Sequence, residues 1–544
     1  MRTALLFALA TAGLAAQAFT DLATTTDGST VYFASRLRQK GTDQPPDLGR
    51  IFRATGSMID AAAQPGCTVI PAPPTRDCAL LSPDVSGDGN VLVYTFREYD
   101  LSGSLNLTLG VVATQWFENL LEENSNVRVS RNGAFVVEFT DVQFSSARLF
   151  NLSNGGTTIL SGFSIIGDAR QAVADDGSVV LHDSSLNTVL WKAGTVTRLN
   201  LKHQSGNARM DRNARTIVYE WIDGQYHLDS YDIASGIDTE LWSEGIVPPV
   251  FLPYFQPAAL YYQPSITEDG HYVLIQAAYH SRPVTKDLWI LATDGSTARQ
   301  LTSGDGVTSD VLSGNGVIAY AATTDNRLIR VNTVTVDPLE IVPRMPLLAK
   351  VTATPLIAPG DYLAAGGGGL ENAQVLVNGE PAWVIAAHNG LIAFRIPWDV
   401  PIGQPVQITV ASDSQFDPGS FTAAVQAANP HAWFAQPIHQ DFSDIVKPES
   451  PAKQGEIVHL YMTGLGIIDP LLPLDQPAPV GTPVRALTPL VCSVGNINAP
   501  VQFAGVAPGQ TWIYQADVQI PAGASTGTLV CGRAGFPLAV AGSI

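Results

Sequence analysis

Five histidines, His182, His203, His227, His271 and His280, lie in separate segments of this 544-residue chain. Imidazoles gathered from several segments can hold a metal ion. No motif links these five. There is no H-E-x-x-H, no G-x-S-x-G turn for a nucleophilic serine and no P-loop. The glycine run Gly366–Gly369 lacks the Lys-Ser/Thr that phosphate chemistry needs. Asp84, Ser86 and Asp88 suggest calcium, but fall short of a twelve-residue loop with its terminal Glu, so a turn is expected there. The sequence therefore predicts scattered hydrogen-bonding histidines, with no catalytic residue, metal site or cofactor.

A binding chemistry is easier to find. Residues 246–265, IVPPVFLPYFQPAALYYQPS, place Phe251, Tyr254, Phe255, Tyr261 and Tyr262 among five prolines. Aromatic rings on a proline-stiffened loop can stack on a sugar or an extended peptide. The competing expectation is that these rings pack against the protein's own rim.

These residues are set in a repeat. A Ser or small residue, a variable residue, Asp or Asn, Gly and then an apolar run recur along the chain. Aligned on the turn, the marks are Asp27, Asp88, Asn132, Asp176, Asn213, Asp269 and Asn315, spaced 37 to 61 residues apart. The copy at Asn213 has Ala214 where the others have Gly. Between two marks, DLWILATDGSTARQLTSGDG (287–306) reads as a hairpin turning at Asp294-Gly295. One hairpin cannot bury its own apolar face, so neighbouring units must cover it. Units of this length with several strands each predict a seven-bladed β-propeller over residues 19–342. An N-terminal strand is a candidate to complete the last blade. The two longest intervals hold the insertions Ser57–Leu80 and Ile246–Ser265.

The S-x-D-G turn followed by an apolar run resembles the blades of TolB-like and dipeptidyl-peptidase-like propellers. That resemblance implies a fold and no single activity, because propellers host enzymes, receptors and scaffolds alike. One family of pectin-derived oligosaccharide lyases uses a similar propeller with a histidine-held metal; its motif has no match here.

After Val342 the pattern changes. APGDYLAAGGGGL with IPWDVPIGQPVQITV, and KQGEIVHLYMTGLG with VQIPAGASTGTLV, form two related halves. Gly360 matches Gly455, Ile396-Pro397 matches Ile520-Pro521, and Gly403 matches Gly527. Short alternating strands with Gly and Pro turns predict two β-sandwich modules, 343–430 and 431–544, with an irregular bend at the four glycines. SPAKQGEIVHLYMTGLG and QFAGVAPGQTWIYQADVQIPAGASTG resemble the Solibacter-type C-terminal domain of exported Acidobacteria proteins. The resemblance implies an immunoglobulin-like or IPT/TIG-like fold and export, and no activity.

Composition sets the remaining bounds. Charged residues are only 15% and hydrophobic residues 45%, which fits a packed all-β chain, as do the 48 Gly and 37 Pro. A net charge of −19 repels phosphate backbones and argues against nucleic acid. Residues 1–18 have the Arg2, apolar run and Ala16-Gln17-Ala18 of a secretory signal peptide. No later run reaches the roughly 20 apolar residues of a membrane helix. The four cysteines form two local pairs, Cys67 with Cys78 and Cys492 with Cys531, expected as disulfides in an exported chain. The combined expectation is a secreted or periplasmic, non-enzymatic binding or scaffold protein whose partner is an extracytoplasmic protein or glycan. The alternative is a propeller-based polysaccharide lyase or glycosidase.

Overall fold

The computed structural model describes residues 18–37, 39–40, 49–63, 76–100, 105–114, 118–123, 125–140, 147–165, 170–223, 225–246, 264–278, 286–348, 354–388, 390–414 and 416–541. Among these there is no helix, and so none long and apolar enough to cross a membrane. The chain divides into two compact units. One holds residues 17–345 together with 414–417, and the other holds 346–413 and 418–544.

The first unit is a succession of antiparallel meanders, each built from strands consecutive in sequence. The first sheet runs Thr20–Thr24, Thr30–Ser35, Arg50–Thr55 and Met58–Ala63, and the second Arg76–Val85, Val91–Asp100, Leu105–Thr114 and Glu118–Glu123. The third comprises Ser125–Val129, Phe135–Thr140, Ala147–Asn151 and Gly156–Leu160. In the fourth, Val179–His182, Thr188–Lys192 and Thr195–Arg198 are extended by a bridge from Val173 to Val179. The fifth comprises Ala208–Met210, Thr216–Ile222, Gln225–Asp232 and Ile237–Ile246. The sixth comprises Ser265–Ile266, Tyr272–Ala278, Lys286–Ala292 and Ala298–Gln300. The seventh comprises Val307–Leu312, Ile318–Thr323, Leu328–Asn332 and Pro338–Val342.

Both faces of these sheets are apolar because each is covered by a neighbour. On the strand Tyr272–Ala278, Val273, Ile275 and Ala277 pack with Val218 and Leu228 of the fifth sheet. Leu274 points the other way, to Leu312 and Ala319 of the seventh. This is the period-two geometry of a strand buried on both sides. The hairpin of residues 287–306 is thus covered on one face by the seventh sheet, through Leu288, Ile290 and Leu301. Its turn places Gly295 at φ 75°, a value at which a β-carbon would be strained.

The first and last sheets also meet. The Tyr320 hydroxyl donates to Gly28 O at 2.8 Å, and Asn315 N–H donates to Thr26 O at 2.9 Å. The N-terminal strand Thr20–Thr24 belongs to the first sheet, not the last, whose strands all come from Val307–Val342. These two sheets are therefore joined by packing and turn contacts rather than by a borrowed strand. Phe416, from the segment 414–417, is fully buried in this unit among Phe19, Phe33 and Phe52, at ring separations of 5.2 to 6.5 Å.

The second unit holds two modules, each a pair of sheets around one core. In the first, Ala365, Ile392 and Phe394 of one sheet face Val375, Val406, Ile408 and Val425 of the other. Of the four glycines only the last, Gly369, makes the expected bend, at φ 63°. Gly366–Gly368 continue the strand Tyr362–Gly368, and a β-carbon at Gly367 would overlap Leu347 O of the adjacent strand. In the second module, Val458, Leu460, Tyr514 and Val518 face Val494, Leu529 and Phe536. The internal likeness is real at the strand entrances: Gly360 and Gly455 both have positive φ and donate to Ile396 O and Ile520 O. Gly403 lies in a turn at φ 81°, whereas Gly527, its sequence match, begins the strand Gly527–Cys531. Cys492 and Cys531 are bonded across directly paired strands of this module, with Cα atoms 4.1 Å apart. Cys78 is also disulfide-bonded; Cys67, its expected partner, lies outside the described residues.

Candidate functional site

The repeat turn explains itself locally. In Ser86-Gly87-Asp88-Gly89, the Ser86 hydroxyl donates to Asp88 Oδ1 at 2.6 Å and accepts from Val91 N–H at 3.0 Å. Thr25 with Asp27, Ser130 with Asn132, Thr267 with Asp269 and Ser313 with Asn315 repeat the arrangement. Asp88 is thus satisfied by its own turn, as expected of an Asx turn and not of a calcium ligand. In the degenerate copy Asp211 takes the serine's place, accepting from Arg215 and Thr216 N–H. Ala214 is held there at φ 54°.

The variable residue of the motif does something the local pattern does not show. It is Thr26, Gly87, Arg131, Asp175, Arg212, Glu268 and Gly314 in the successive copies, and these residues meet. Thr26 N–H donates to Gly87 O, Gly87 N–H to Arg131 O, Asp175 N–H to Arg212 O and Glu268 N–H to Gly314 O, at 2.6 to 2.9 Å. Asn132 donates to Asp175 through its backbone and its side chain. Arg212 donates to Asp175 Oδ2 at 2.7 Å and to Glu268 Oε2 at 2.8 Å, which links the fifth sheet to the sixth. Arg131 Nε lies 3.5 Å from Glu268 Oε1, and Thr26 Oγ1 donates to the same oxygen. With Asn315 donating to Thr26 O, the ring of turns is continuous. Two positive and two negative side chains neutralise one another inside it. Gly87 and Gly314 make room: a β-carbon on Gly314 would overlap the Glu268 carboxylate, and one on Gly87 would overlap Thr26 Oγ1.

Beyond this ring the interior is crossed by two more side chains. Arg170 Nη1 donates to Leu22 O of the first sheet and Asp310 O of the seventh, both at 3.2 Å. Gln171 exchanges two hydrogen bonds with the Ile266 backbone of the sixth sheet, at 2.6 and 2.9 Å. Residues next to the fourth sheet thus reach the first, sixth and seventh sheets.

The opposite face follows from meander topology. The first strand of each sheet runs towards the turn ring and the second runs away from it. Connections between second and third strands, and from one sheet to the next, therefore leave at the far face. On that face Trp221 pairs across strands with His227, and His203 comes from the connection before the fifth sheet. The His203 and Trp221 rings are 3.5 Å apart at 10°, and the Trp221 and His227 rings 3.7 Å apart at 6°. Two rings so close to one indole cannot share a face, so the imidazoles sandwich the tryptophan. His227 Nε2 lies 3.1 Å from Asp223 Oδ1.

The other histidines are dispersed. His182 is buried against the Ser205 hydroxyl at 2.9 Å, and burial lowers its pKa to about 4, so it is neutral at pH 7. His271 is exposed at the turn end beside Asp269. No group of three or more metal-ligating side chains occurs among the described residues. His280 and the aromatic residues Phe251, Tyr254, Phe255, Tyr261 and Tyr262 lie outside the described residues.

Two further constellations have the residue types of catalysis. The Tyr219 hydroxyl donates to Asp238 Oδ2 at 2.6 Å and lies 3.3 Å from Asp229 Oδ2. Burial raises the pKa of Asp229, but Tyr219 and Asp229 have no exposed surface, so no substrate reaches them. In the C-terminal unit, His439 Nδ1 lies 2.7 Å from Glu456 Oε1, and its Nε2 lies 3.1 Å from Ser450 Oγ. This has the order of a Ser-His-Glu triad. A hydrolase also needs backbone donors for the oxyanion. Ser450 N–H donates to Lys447 O, and residue 451 is a proline with no N–H. His439 Nε2 is in addition 3.0 Å from the Ser450 carbonyl, an acceptor that fixes a proton on Nε2. The arrangement is a clamp and not a nucleophile. Sequence spacing holds no sign of it, because the turn that joins 439 to 450 follows no motif.

No protein-family model matches the sequence, and no curated protein matches it. The fold is similar to TolB from Acinetobacter baumannii, with a TM-score of 0.32, 16% identity, and coverage of 50% of this chain and 63% of that one. The match thus spans less than two thirds of TolB. It is also similar to an oligogalacturonate lyase from Vibrio parahaemolyticus, at a TM-score of 0.36, 11% identity, 57% of this chain and 87% of that one. The β-propeller domain of the Trilobed protease from Pyrococcus furiosus gives a TM-score of 0.39, 10% identity, 60% of this chain and 98% of that one. Each is a likeness only. The succession of face-packed meanders, zipped at their turns, makes this chain a β-propeller protein.

Proposed function

We propose that this chain is an exported binding or scaffold protein that meets its partner on the propeller face opposite the turn ring. In this reading residues 19–342 form seven blades, followed by two immunoglobulin-like modules, 343–430 and 431–544, the second of Solibacter type. Residues 1–18 are a signal peptide, and the Cys492–Cys531 bond suits an oxidising compartment outside the cytoplasm. The partner is a glycan or an extracytoplasmic protein.

One observation carries the proposal. Arg170 and Gln171 cross the propeller interior to main-chain atoms of other sheets. Polar groups that would line a channel site are engaged with the protein itself, which favours binding on a face over chemistry in a channel. The connection from the fifth sheet to the sixth contains Phe251, Tyr254, Phe255, Tyr261 and Tyr262, which we assign to ligand contact. Aromatic faces take up sugar C–H groups or apolar side chains by burial and dispersion.

The test is binding of the purified full chain to a panel of immobilised polysaccharides, alongside a Tyr254→Ala/Phe255→Ala variant. The expected result is retention of the native protein and loss in the variant, with melting temperature unchanged. A large fall in melting temperature would mean that the rings belong to the core, at about 3–5 kcal/mol for a buried Phe. Cleavage of a retained polysaccharide would establish the lyase or glycosidase alternative instead.

A further inference from the structure

The second C-terminal module carries a segment, residues 437–450, laid against the strand Ile457–Thr463. Its first residues pair with that strand: Ile438 and His459 exchange two backbone hydrogen bonds of 2.9 Å. Beyond Ile438 the segment folds back on itself, with Ile438 bridged to Ile445. Phe442 lies at the bend with φ 60°, a left-handed conformation that strains an L-residue.

Two imidazoles hold this hairpin. His439 belongs to it, and His459 lies beneath it. Both ring nitrogens of each histidine face acceptors. His439 Nδ1 meets Glu456 Oε1 at 2.7 Å, and its Nε2 meets the Ser450 carbonyl at 3.0 Å. His459 Nδ1 meets Asp517 Oδ1 at 2.7 Å, and its Nε2 meets the Gln440 carbonyl at 3.1 Å. The Phe442 ring lies flat on His459, 4.0 Å away at 7°, the geometry of a cation–π contact. A neutral imidazole has one N–H and must set a lone pair against one of these oxygens. Gln515 Nε2, 3.2 Å from His459 Nδ1, and the Ser450 hydroxyl, 3.1 Å from His439 Nε2, can each donate to that lone pair, but only the doubly protonated ring satisfies both oxygens at each histidine.

We propose that residues 439–450 form a pH-sensitive latch, held closed by imidazolium forms of His439 and His459 and loosened as the two rings deprotonate. The charged groups around His439 are Glu456, Asp441 and Asp444, with Lys447 paired to Asp444 at 2.7 Å. Those around His459 are Asp517 and, through it, the Tyr461 phenol; Gln515 donates to the same Asp517 oxygen. Negative charge thus predominates at both rings. Burial by itself would lower both histidines, but the carboxylate and carbonyl acceptors more than offset it and raise each above the ordinary 6.5. A raised histidine stabilises fully below its unfolded pKa. That contribution is lost as pH rises through the folded value. The latch is therefore closed in acid and opens as pH rises through folded pKa values that lie above the ordinary histidine value. Opening uncovers the His459 ring and the adjoining sheet face.

Hydrogen exchange of the full chain, read as protection factors across pH 5.5 to 8.5, tests the latch. Peptides spanning 439–450 should lose protection progressively as pH rises over that range. Peptides of the strand Gly527–Cys531 serve as an internal reference and should not change. In a His439→Gln/His459→Gln variant, protection of 439–450 should be low and independent of pH. Pronounced pH dependence in that variant, or none in the native protein, would overturn the proposal. Should the variant fail to fold, NMR titration of the native histidines decides: two rings titrating above 6.5 support the latch, and none above it overturns it.

Discussion

Glu268→Ala removes the carboxylate that three turn residues share. Its side chain is 7% exposed, and it accepts from Arg212 Nη1 and Thr26 Oγ1 with Arg131 beside it. The substitution leaves Arg131, at 12% exposure, and Arg212, at 38%, with less opposing charge. Removing one partner of a buried pair costs about 3–5 kcal/mol. Arg212 keeps Asp175 and some water, so the expected loss is smaller, about 2–3 kcal/mol. The companion Gly314→Ala keeps every charge but drives a methyl into the carboxylate's position. It should destabilise as well, by roughly 1–3 kcal/mol. Denaturant unfolding of the full chain, with amide exchange at Thr26 and Asn315 as the local readout, measures both. If Glu268→Ala costs less than about 0.5 kcal/mol, the range of an ordinary surface change, the ring does not help to hold the propeller together.

Ala214→Gly should stabilise the propeller by about 1 kcal/mol, since it relieves a β-carbon at φ 54°; a loss of stability in denaturant would contradict the strain argument. Asp361, 2% exposed in the first module, has its carboxyl pushed up to about 7 by burial. A raised acid binds its proton more tightly in the folded state, so stability falls as pH climbs from about 4 towards 7. The native protein should lose roughly 2–3 kcal/mol more than Asp361→Asn between pH 5 and pH 8, and parallel curves in denaturant titrations would refute this. Replacing both Cys492 and Cys531 by Ser opens a link across 39 residues and should cost about 4 kcal/mol in the chain-entropy model, visible as a lower melting temperature of the C-terminal unit.

The turns are legible in the sequence because their chemistry is local: Ser or Thr, Asp or Asn, and Gly satisfy one another within a few residues. The ring is not, because each link joins residues of different repeats. A signal is present, though. The variable position carries Arg131, Asp175, Arg212 and Glu268 in consecutive copies, charges of alternating sign that only convergence would pair. The Cys492–Cys531 bond is readable from the even cysteine count and its local spacing. The His439–Glu456 clamp and the His459–Asp517 pair are not, since tertiary geometry alone brings those residues together. Gly366–Gly368 mislead for a related reason: composition suggests a bend through the whole run, whereas Gly367 admits a neighbouring strand at close range and only Gly369 bends.

Hydrogen exchange of the full chain with and without a polysaccharide that it retains tests most directly where the protein binds. New protection is expected at residues 201–206, 223 and 225–227, on the face of the His203–Trp221–His227 stack, and none at the turns 25–28 and 86–89. Protection at those turns with none on the stack face, or breakdown of the polysaccharide during the measurement, would contradict it.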